Sequence, residues 1–177
     1  MDEKTQLLKE DLHDALRWLF VGAVTWEAAR KQPHRCGNQD ALAMFTSLTQ
    51  ARALYEFFYA APGKSDDARA RDFCPASAWN PSKSYLYLDY MAAKKPANKR
   101  VFHLVYDRAD HAGGLGEDGP DHLKNQVLNF ARDLRRLTEE FIKCIDSKFH
   151  HVAGAALHGA LAEAKSIADY YEISDPL

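Results

Sequence analysis

The residues best suited to chemistry lie in the run NKRVFHLVYDR at 98–108. A helix turns about 100° per residue, so it places the apolar residues on one side and gathers Lys99, Arg100, His103 and Asp107 on the other. The cations stand three and four residues before His103 and the acid four residues after it, close enough to tune an imidazole. The pattern is typical of a solvated helix surface, and it also suits a site of proton transfer.

Positive charge is concentrated around this run. Between positions 94 and 108 the cations outnumber the single acid Asp107, and they are Lys94, Lys95, Lys99, Arg100 and Arg108. Such a patch is able to hold phosphate groups. Tyr90 and Tyr106 lie near enough in sequence to stack on bases, as tyrosines do in proteins that bind single strands. The alternative is a solvated basic face without a ligand.

The chain as a whole excludes several classes of protein. It has 177 residues, 46% of them hydrophobic, which predicts one domain over 1–177. A net charge of −2 gives no overall attraction to nucleic acid, so such binding must come from a local patch. The charged start, the short apolar runs and three cysteines without CxxC spacing predict no secretory signal, no membrane span and no disulfide framework. We therefore expect a cytoplasmic protein.

Apolar residues recur at spacings of three and four along most of the chain, which predicts helices. The predicted helices cover 2–30, 38–61, 82–94, 98–108, 121–144 and 152–171. The sequence at 85–88 also suits a short strand. Phe73 and Trp79 are expected to anchor the connection at 62–81, and the glycine-rich stretch at 111–120 is expected to be a linker. The predicted fold class is an all-α bundle of about five to six helices.

Eight histidines raise the question of a metal site. Glu10 and His13 form a Glu-x-x-His unit, which di-iron bundles use in pairs, but the sequence contains no second copy. Around His150, His151 and His158 the next carboxylate in the sequence is Glu163. We therefore expect no metal and no cofactor, and a metal-dependent bundle enzyme is kept as the second alternative.

Three stretches of the chain carry a resemblance to a known family. The first is ARALYEFFY at 51–59 and the last is NKRVFHLVYDR at 98–108. Between them lies a set of acidic and aromatic residues: Asp66, Asp67, Asp72, Phe73 and Trp79. Together they resemble HEPN-like small bacterial proteins, over roughly residues 38–145. The resemblance implies a helical bundle of the kind found in toxin–antitoxin, abortive-infection and RNA-processing systems, and it implies a homodimer.

The resemblance also implies a metal-independent ribonuclease site, built from an arginine and a histidine a few residues apart. His103 matches the histidine, whereas Pro96, Ala97 and Asn98 stand where the arginine is expected. Cleavage through the 2′-hydroxyl needs a base near that proton and a cation near the developing charge on phosphorus. Arg100 is the best substitute for the arginine, and Lys99 and Arg52 are the others.

Arg52 lies in the most apolar of the predicted helices, where an arginine needs a partner. Glu56 follows it by one turn, so we expect the two to pair.

Because the expected arginine is absent, the sequence favours a non-catalytic or degenerate module of a bacterial defence, toxin–antitoxin or regulatory system. Its partner is predicted to be RNA or a protein encoded nearby. The predicted RNA-binding residues are Lys95, Asn98, Lys99, Tyr106, Arg108 and Arg52. The alternative is a metal-independent ribonuclease in which His103 and Arg100 are catalytic.

Overall fold

The computed structural model describes residues 2–32, 39–59, 68–75, 78–82, 84, 86–87, 120–174 and 176–177. These residues form five α-helices and one 3₁₀ turn: α1 (Glu3–Lys9), α2 (Asp11–Lys31), α3 (Gln39–Tyr59), the 3₁₀ turn (Ala70–Phe73), α4 (Pro120–Cys144) and α5 (Ser147–Tyr170). The predicted all-α bundle is confirmed. The helix predicted over 98–108, most of the helix predicted over 82–94 and the linker at 111–119 lie outside the described residues.

The first predicted helix is interrupted at Glu10, so that prediction is wrong in one detail. The Asp2 side chain caps α1 by accepting from the Thr5 amide at 2.9 Å. Glu10 then departs from helical geometry, with φ −104° and ψ −64°. The break lets α1 lie against α5 while α2 packs between α3 and α5. Leu8 and Leu12 stay buried on either side of it.

The helices α2 and α3 approach each other closely at Gly22. A Cβ atom built on Gly22 would lie 2.7 Å from the Ala43 carbonyl oxygen and 3.1 Å from the Ser47 Cβ. The Ser47 hydroxyl uses this proximity to donate to the Leu19 carbonyl at 3.0 Å. A glycine is therefore required here by the space between two backbones rather than by an unusual backbone angle.

The apolar stripes predicted for α3 and α4 form the core. The buried stripe residues are Met44, Leu48, Ala51, Tyr55 and Phe58 on α3, and Val127, Phe130, Leu134, Leu137 and Phe141 on α4. On α5 the buried stripe consists largely of alanines, which allow α2 to lie close by. The apolar stripes predicted for α3 and α4 are confirmed over the described residues. No described helix is long and apolar enough to cross a membrane.

Aromatic side chains anchor the connection between α3 and α4. Phe73 and Trp79 contact Phe141 edge-to-face, with ring centroids 6.1 and 5.6 Å away. The Trp79 indole also donates to the Phe58 carbonyl at 2.8 Å. The predicted anchoring role of Phe73 and Trp79 is confirmed.

The helix α5 begins at Ser147, five residues before the predicted start. Asp146 is its N-cap, and the Asp146 side chain accepts from the Lys148 amide at 3.2 Å. The Asp146 amide itself donates to the Phe73 carbonyl at 3.0 Å, which ties the start of α5 to the 3₁₀ turn.

We predict that Gly22→Ala destabilises the fold whereas Gly154→Ala does not. At Gly154, which is also helical, an added Cβ would have no neighbour within 4 Å. Gly22→Ala should lower the free energy of unfolding by about 1–3 kcal/mol through overpacking. Gly154→Ala should raise it by up to about 1 kcal/mol, because alanine favours the helix. Urea unfolding measures both, and equal stabilities would contradict the close approach of α2 and α3.

Candidate functional site

The predicted site residues divide between the described and the remaining parts of the chain. Arg52 is described, and its guanidinium Nε donates to the Glu56 carboxylate at 3.1 Å, so the predicted pairing is confirmed. The others lie outside the described residues and stay predictions; they are His103, Arg100, Lys95, Asn98, Lys99, Tyr106 and Arg108. Among the predicted site residues, the described structure therefore shows the surroundings of Arg52.

The α3 face that carries Arg52 continues through Tyr55 and Tyr59. These residues follow Arg52 by three and seven positions, which is one and two helical turns. Tyr55 is fully buried and its ring meets Phe130 of α4 edge-to-face at 6.1 Å. This face of α3 is therefore turned towards α4.

A nearly buried carboxylate on α4 joins three separate elements. The Asp133 side chain is 9% exposed. Its Oδ2 accepts from the Tyr55 hydroxyl of α3 at 2.8 Å and from the Ser84 hydroxyl at 2.5 Å. Its Oδ1 accepts from Nη2 of Arg136, one turn further along α4, at 2.8 Å. We call Tyr55, Ser84, Asp133 and Arg136 the Asp133 cluster.

Arg136 connects the Asp133 cluster to the surface. Its Nη1 donates to the Ser82 hydroxyl at 2.7 Å and to the Glu140 carboxylate at 2.5 Å. The Arg136 side chain is 43% exposed. Two carboxylates therefore neutralise this guanidinium, although part of it remains open to solvent.

Ser82, Ser84 and Tyr87 are held against the cluster by their own hydrogen bonds. The Ser84 hydroxyl accepts from the Tyr87 amide at 3.2 Å, as an N-cap does, and Leu86 and Tyr87 are helical. The Tyr59 hydroxyl donates to the Ser82 carbonyl at 2.6 Å. The rings of Tyr59 and Tyr87 stack with centroids 4.2 Å apart and planes 12° from parallel. The chain is thus fixed beside α3 and α4 shortly before the predicted basic run at 94–108.

The environment keeps these tyrosines protonated. Burial, reinforced by the Asp133 charge, raises the pKa of Tyr55. The same two causes raise the pKa of the half-buried Tyr59 to about 12. The pKa of Arg136 is also raised: burial opposes its charge, but the Asp133 and Glu140 carboxylates outweigh burial. The face therefore offers an aromatic stack and a permanent cation, while the single protons of the Tyr55 and Tyr59 hydroxyls are already donated to Asp133 and Ser82. These tyrosines are not suited to act as general bases.

The Glu-x-x-His unit does not assemble into a metal site in the part of the chain that the structure describes. The Glu10 carboxylate accepts from Gln6 at 3.2 Å, while Nδ1 of His13 lies 3.6 Å from Asp14. No group of three or more potential metal ligands occurs among the described residues.

The Asp133 cluster was not predicted from the sequence, although a local signal exists. Asp133 follows Phe130 by three residues and precedes Leu137 by four, so it stands at the edge of the apolar stripe of α4. An acid at such a position, with Arg136 one turn later, indicates a partly buried ion pair. Nothing in the sequence pattern identifies Tyr55 or Ser84 as its further partners.

Comparison of the chain with protein-family models, with curated proteins and with solved structures finds no match. The resemblance to HEPN-like proteins therefore stays a prediction, based on the sequence motifs alone.

We predict that Tyr55→Phe destabilises the fold more than Tyr59→Phe. The first variant removes a donor from the buried Asp133 carboxylate and should lower the free energy of unfolding by about 1–2 kcal/mol. The second frees the exposed Ser82 carbonyl, which water can satisfy, so the loss should stay below about 1 kcal/mol. Urea unfolding at neutral pH compares the two variants. A larger effect of Tyr59→Phe would contradict the proposed contribution of the Tyr55–Asp133 hydrogen bond to stability.

The raised tyrosine pKa values also give stability a pH dependence. Free tyrosine titrates near pH 10, and folding favours the protonated form of Tyr55 and Tyr59. Their contribution is therefore complete below about pH 10 and is lost as the pH rises through the folded values. Relative to wild type, Tyr55→Phe should lose less stability between about pH 10 and 12. Tyrosinate absorbance of the native protein that follows free tyrosine would contradict this.

Proposed function

We propose that this protein is a HEPN-like helical module that binds single-stranded RNA without cleaving it. The proposed surface combines the described face of α3 and α4 with the predicted basic run at 94–108. The observation that carries the proposal is the Tyr59–Tyr87 stack beside Arg136, because it offers aromatic rings to bases and Tyr87 precedes that run by seven residues.

In this proposal the bases and the phosphates of the RNA bind to different residues. An exposed aromatic ring binds any base through its π-face, which contributes about 1–3 kcal/mol per base. The stacked rings of Tyr59 and Tyr87 are partly exposed and held parallel, so they suit this role. Arg136 is neutralised by Asp133 and Glu140, so phosphate binding must come mainly from the predicted residues. These are Lys95, Asn98, Lys99, Arg100, Tyr106 and Arg108, with Arg52 on the described face.

The ribonuclease alternative depends on His103. The tyrosines of the described face stay protonated at neutral pH, so they supply no base for the 2′-hydroxyl. In the alternative, His103 removes that proton and Arg100 stabilises the charge on phosphorus, in a site shared across a homodimer.

We predict salt-sensitive binding of a labelled single-stranded RNA, measured by fluorescence anisotropy. The double variant Lys99→Ala with Arg100→Ala should weaken binding and reduce the salt slope by about 1.4, because each phosphate contact on a single strand contributes about 0.7. Tyr87→Ala should weaken binding with an unchanged slope, because stacking releases no counterions. Lys165→Ala on α5 is the matched control and should bind normally.

The same assay separates binding from cleavage. Intact RNA after incubation with wild type supports the non-catalytic module. Cleavage by wild type, with binding but no cleavage by His103→Ala, would replace it with the ribonuclease. The absence of salt-sensitive binding in wild type would contradict both.

The second candidate function is binding to another protein. The partner would be the product of a neighbouring gene or a second copy of this chain. The outer side of α3 exposes Leu42 and Phe45 to 71% and 37%, and they lie one turn apart. Exposed apolar side chains that lie together often mark a protein contact.

We predict that Leu42→Ser abolishes the complex with such a partner, measured by co-purification after co-expression with the neighbouring gene product. Sedimentation of the pure protein tests the homodimer in the same variant. Tyr170→Ser is the matched control, since Tyr170 on α5 is 74% exposed. A complex and an oligomeric state unchanged by Leu42→Ser would remove this surface as the interface.

A further inference from the structure

A groove on the surface of the bundle is lined by residues of α1, α2 and α5 and by none of α3 or α4. It has a volume of about 410 Å³, and its lining residues are Lys9, His13, His151, Val152, Ala155 and Ala156. This size lies within the range of small-molecule sites. The groove shares no residue with the Asp133 cluster.

The helices bring three nitrogen-bearing side chains to this groove. Lys9 ends α1, and His13 follows it by four residues across the break at Glu10. His151 comes from the second turn of α5. The His13 ring lies over Gly159 of α5, where an added Cβ would stand 3.2 Å from Nε2. The absence of a side chain at Gly159 therefore leaves room for the His13 imidazole beside α5.

Lys9 gives the lining of the groove one positive charge. None of its lining residues is an acid, and no ion pair engages Lys9 in the part of the chain that the structure describes. Asp14 is near His13, with 3.6 Å between its Oδ1 and the imidazole Nδ1. One turn further along α2, Arg17 pairs with Glu163 of α5 at 2.5 Å and so balances that acid. An ammonium group donates hydrogen bonds and cannot accept them, so the groove favours an anion.

The floor of the groove is apolar. Val152 and Ala156 are partly or fully buried beneath the polar side chains, and Ala155 lies beside them. A few polar groups above an apolar surface are typical of a site for an organic ligand. An ammonium and two imidazoles, contributed by different elements, suit the three free oxygens of a phosphate monoester better than the planar pair of a carboxylate.

We propose that the groove of Lys9, His13 and His151 binds a small organic phosphate monoester, with the phosphate on these side chains and the apolar body on Val152, Ala155 and Ala156. This site is separate from the proposed RNA surface, because it is built from α1, α2 and α5 rather than α3 and α4. Its test is therefore independent of RNA binding.

The test uses phenyl phosphate as the probe, added to the purified full-length chain and followed by NMR. We expect saturable shifts of the amide signals of Ala155 and Ala156. Lys9→Gln and His151→Asn should each weaken binding about tenfold by removing a charge-assisted hydrogen bond. The matched controls are Lys165→Gln and His158→Asn, which change exposed α5 residues outside the groove and should bind as wild type does.

Two further probes define the class of ligand. Benzoate should bind at least about tenfold more weakly than phenyl phosphate if the groove selects a phosphate. Inorganic phosphate should also bind more weakly, because it lacks the apolar body. No saturable shift up to about 10 mM phenyl phosphate, well above a millimolar dissociation constant, would overturn the proposal. Equal binding of benzoate, or equal effects of the groove and control variants, would overturn it as well.

Discussion

The arrangement of α3, α4 and Ser84 depends on one nearly buried carboxylate. Removing the Asp133 side chain from water carries a penalty of several kcal/mol, which only well-placed donors can offset. Its donors come from three places: the Tyr55 hydroxyl on α3, the Ser84 hydroxyl, and the Arg136 guanidinium on α4 itself. Sliding α3 along α4 or detaching Ser84 would leave this charge with fewer donors, so the carboxylate sets the relative positions of α3, α4 and Ser84. It therefore determines where the chain leaves the described face at Tyr87.

Apolar packing alone would hold the same helices together with less definition. The contacts of Phe141 with Phe57, Phe58, Phe73 and Trp79 bury large surfaces, but hydrophobic burial has no preferred direction. Direction comes from hydrogen bonds between elements, as from Ser47 to Leu19 and from Trp79 to Phe58. At Gly22 the shape of two backbones acts in the same way, because the close approach there leaves no room for a side chain. The bundle thus combines a non-directional core with a few directional contacts that fix its register.

The helices could be predicted from local sequence patterns. The contacts between residues that are distant in the sequence could not. The apolar stripes of α3 and α4 were predictable because each helix buries one side, and the Arg52–Glu56 pair because its members are one turn apart. The break at Glu10 depends on how α1 lies against α5, which no local pattern records. Tyr55 and Ser84 are 78 and 49 residues from Asp133, so their convergence appears only in the folded chain. The early start of α5 could have been predicted from Asp146, a residue type that favours the N-cap position. The prediction followed the spacing of the apolar residues instead, which begins later.

The resemblance to HEPN-like proteins implies an arginine that this sequence lacks, so another cation would have to replace it. The contacts of the described face limit which cation this can be. Arg136 and Tyr59 both donate hydrogen bonds to Ser82, which brings this guanidinium near the Tyr59–Tyr87 stack, but it already pairs with Asp133 and Glu140. Moving Arg136 to a phosphate would leave Asp133 with two neutral donors in a nearly dry site, and breaking such a pair costs about 3–5 kcal/mol when it is fully buried. We therefore infer that any replacement lies outside the Asp133 cluster. This leaves Arg52, one turn before Tyr55 on a rigid helix, or Lys99 and Arg100 beside His103, and a site built on Arg52 would require the basic run to fold back onto α3.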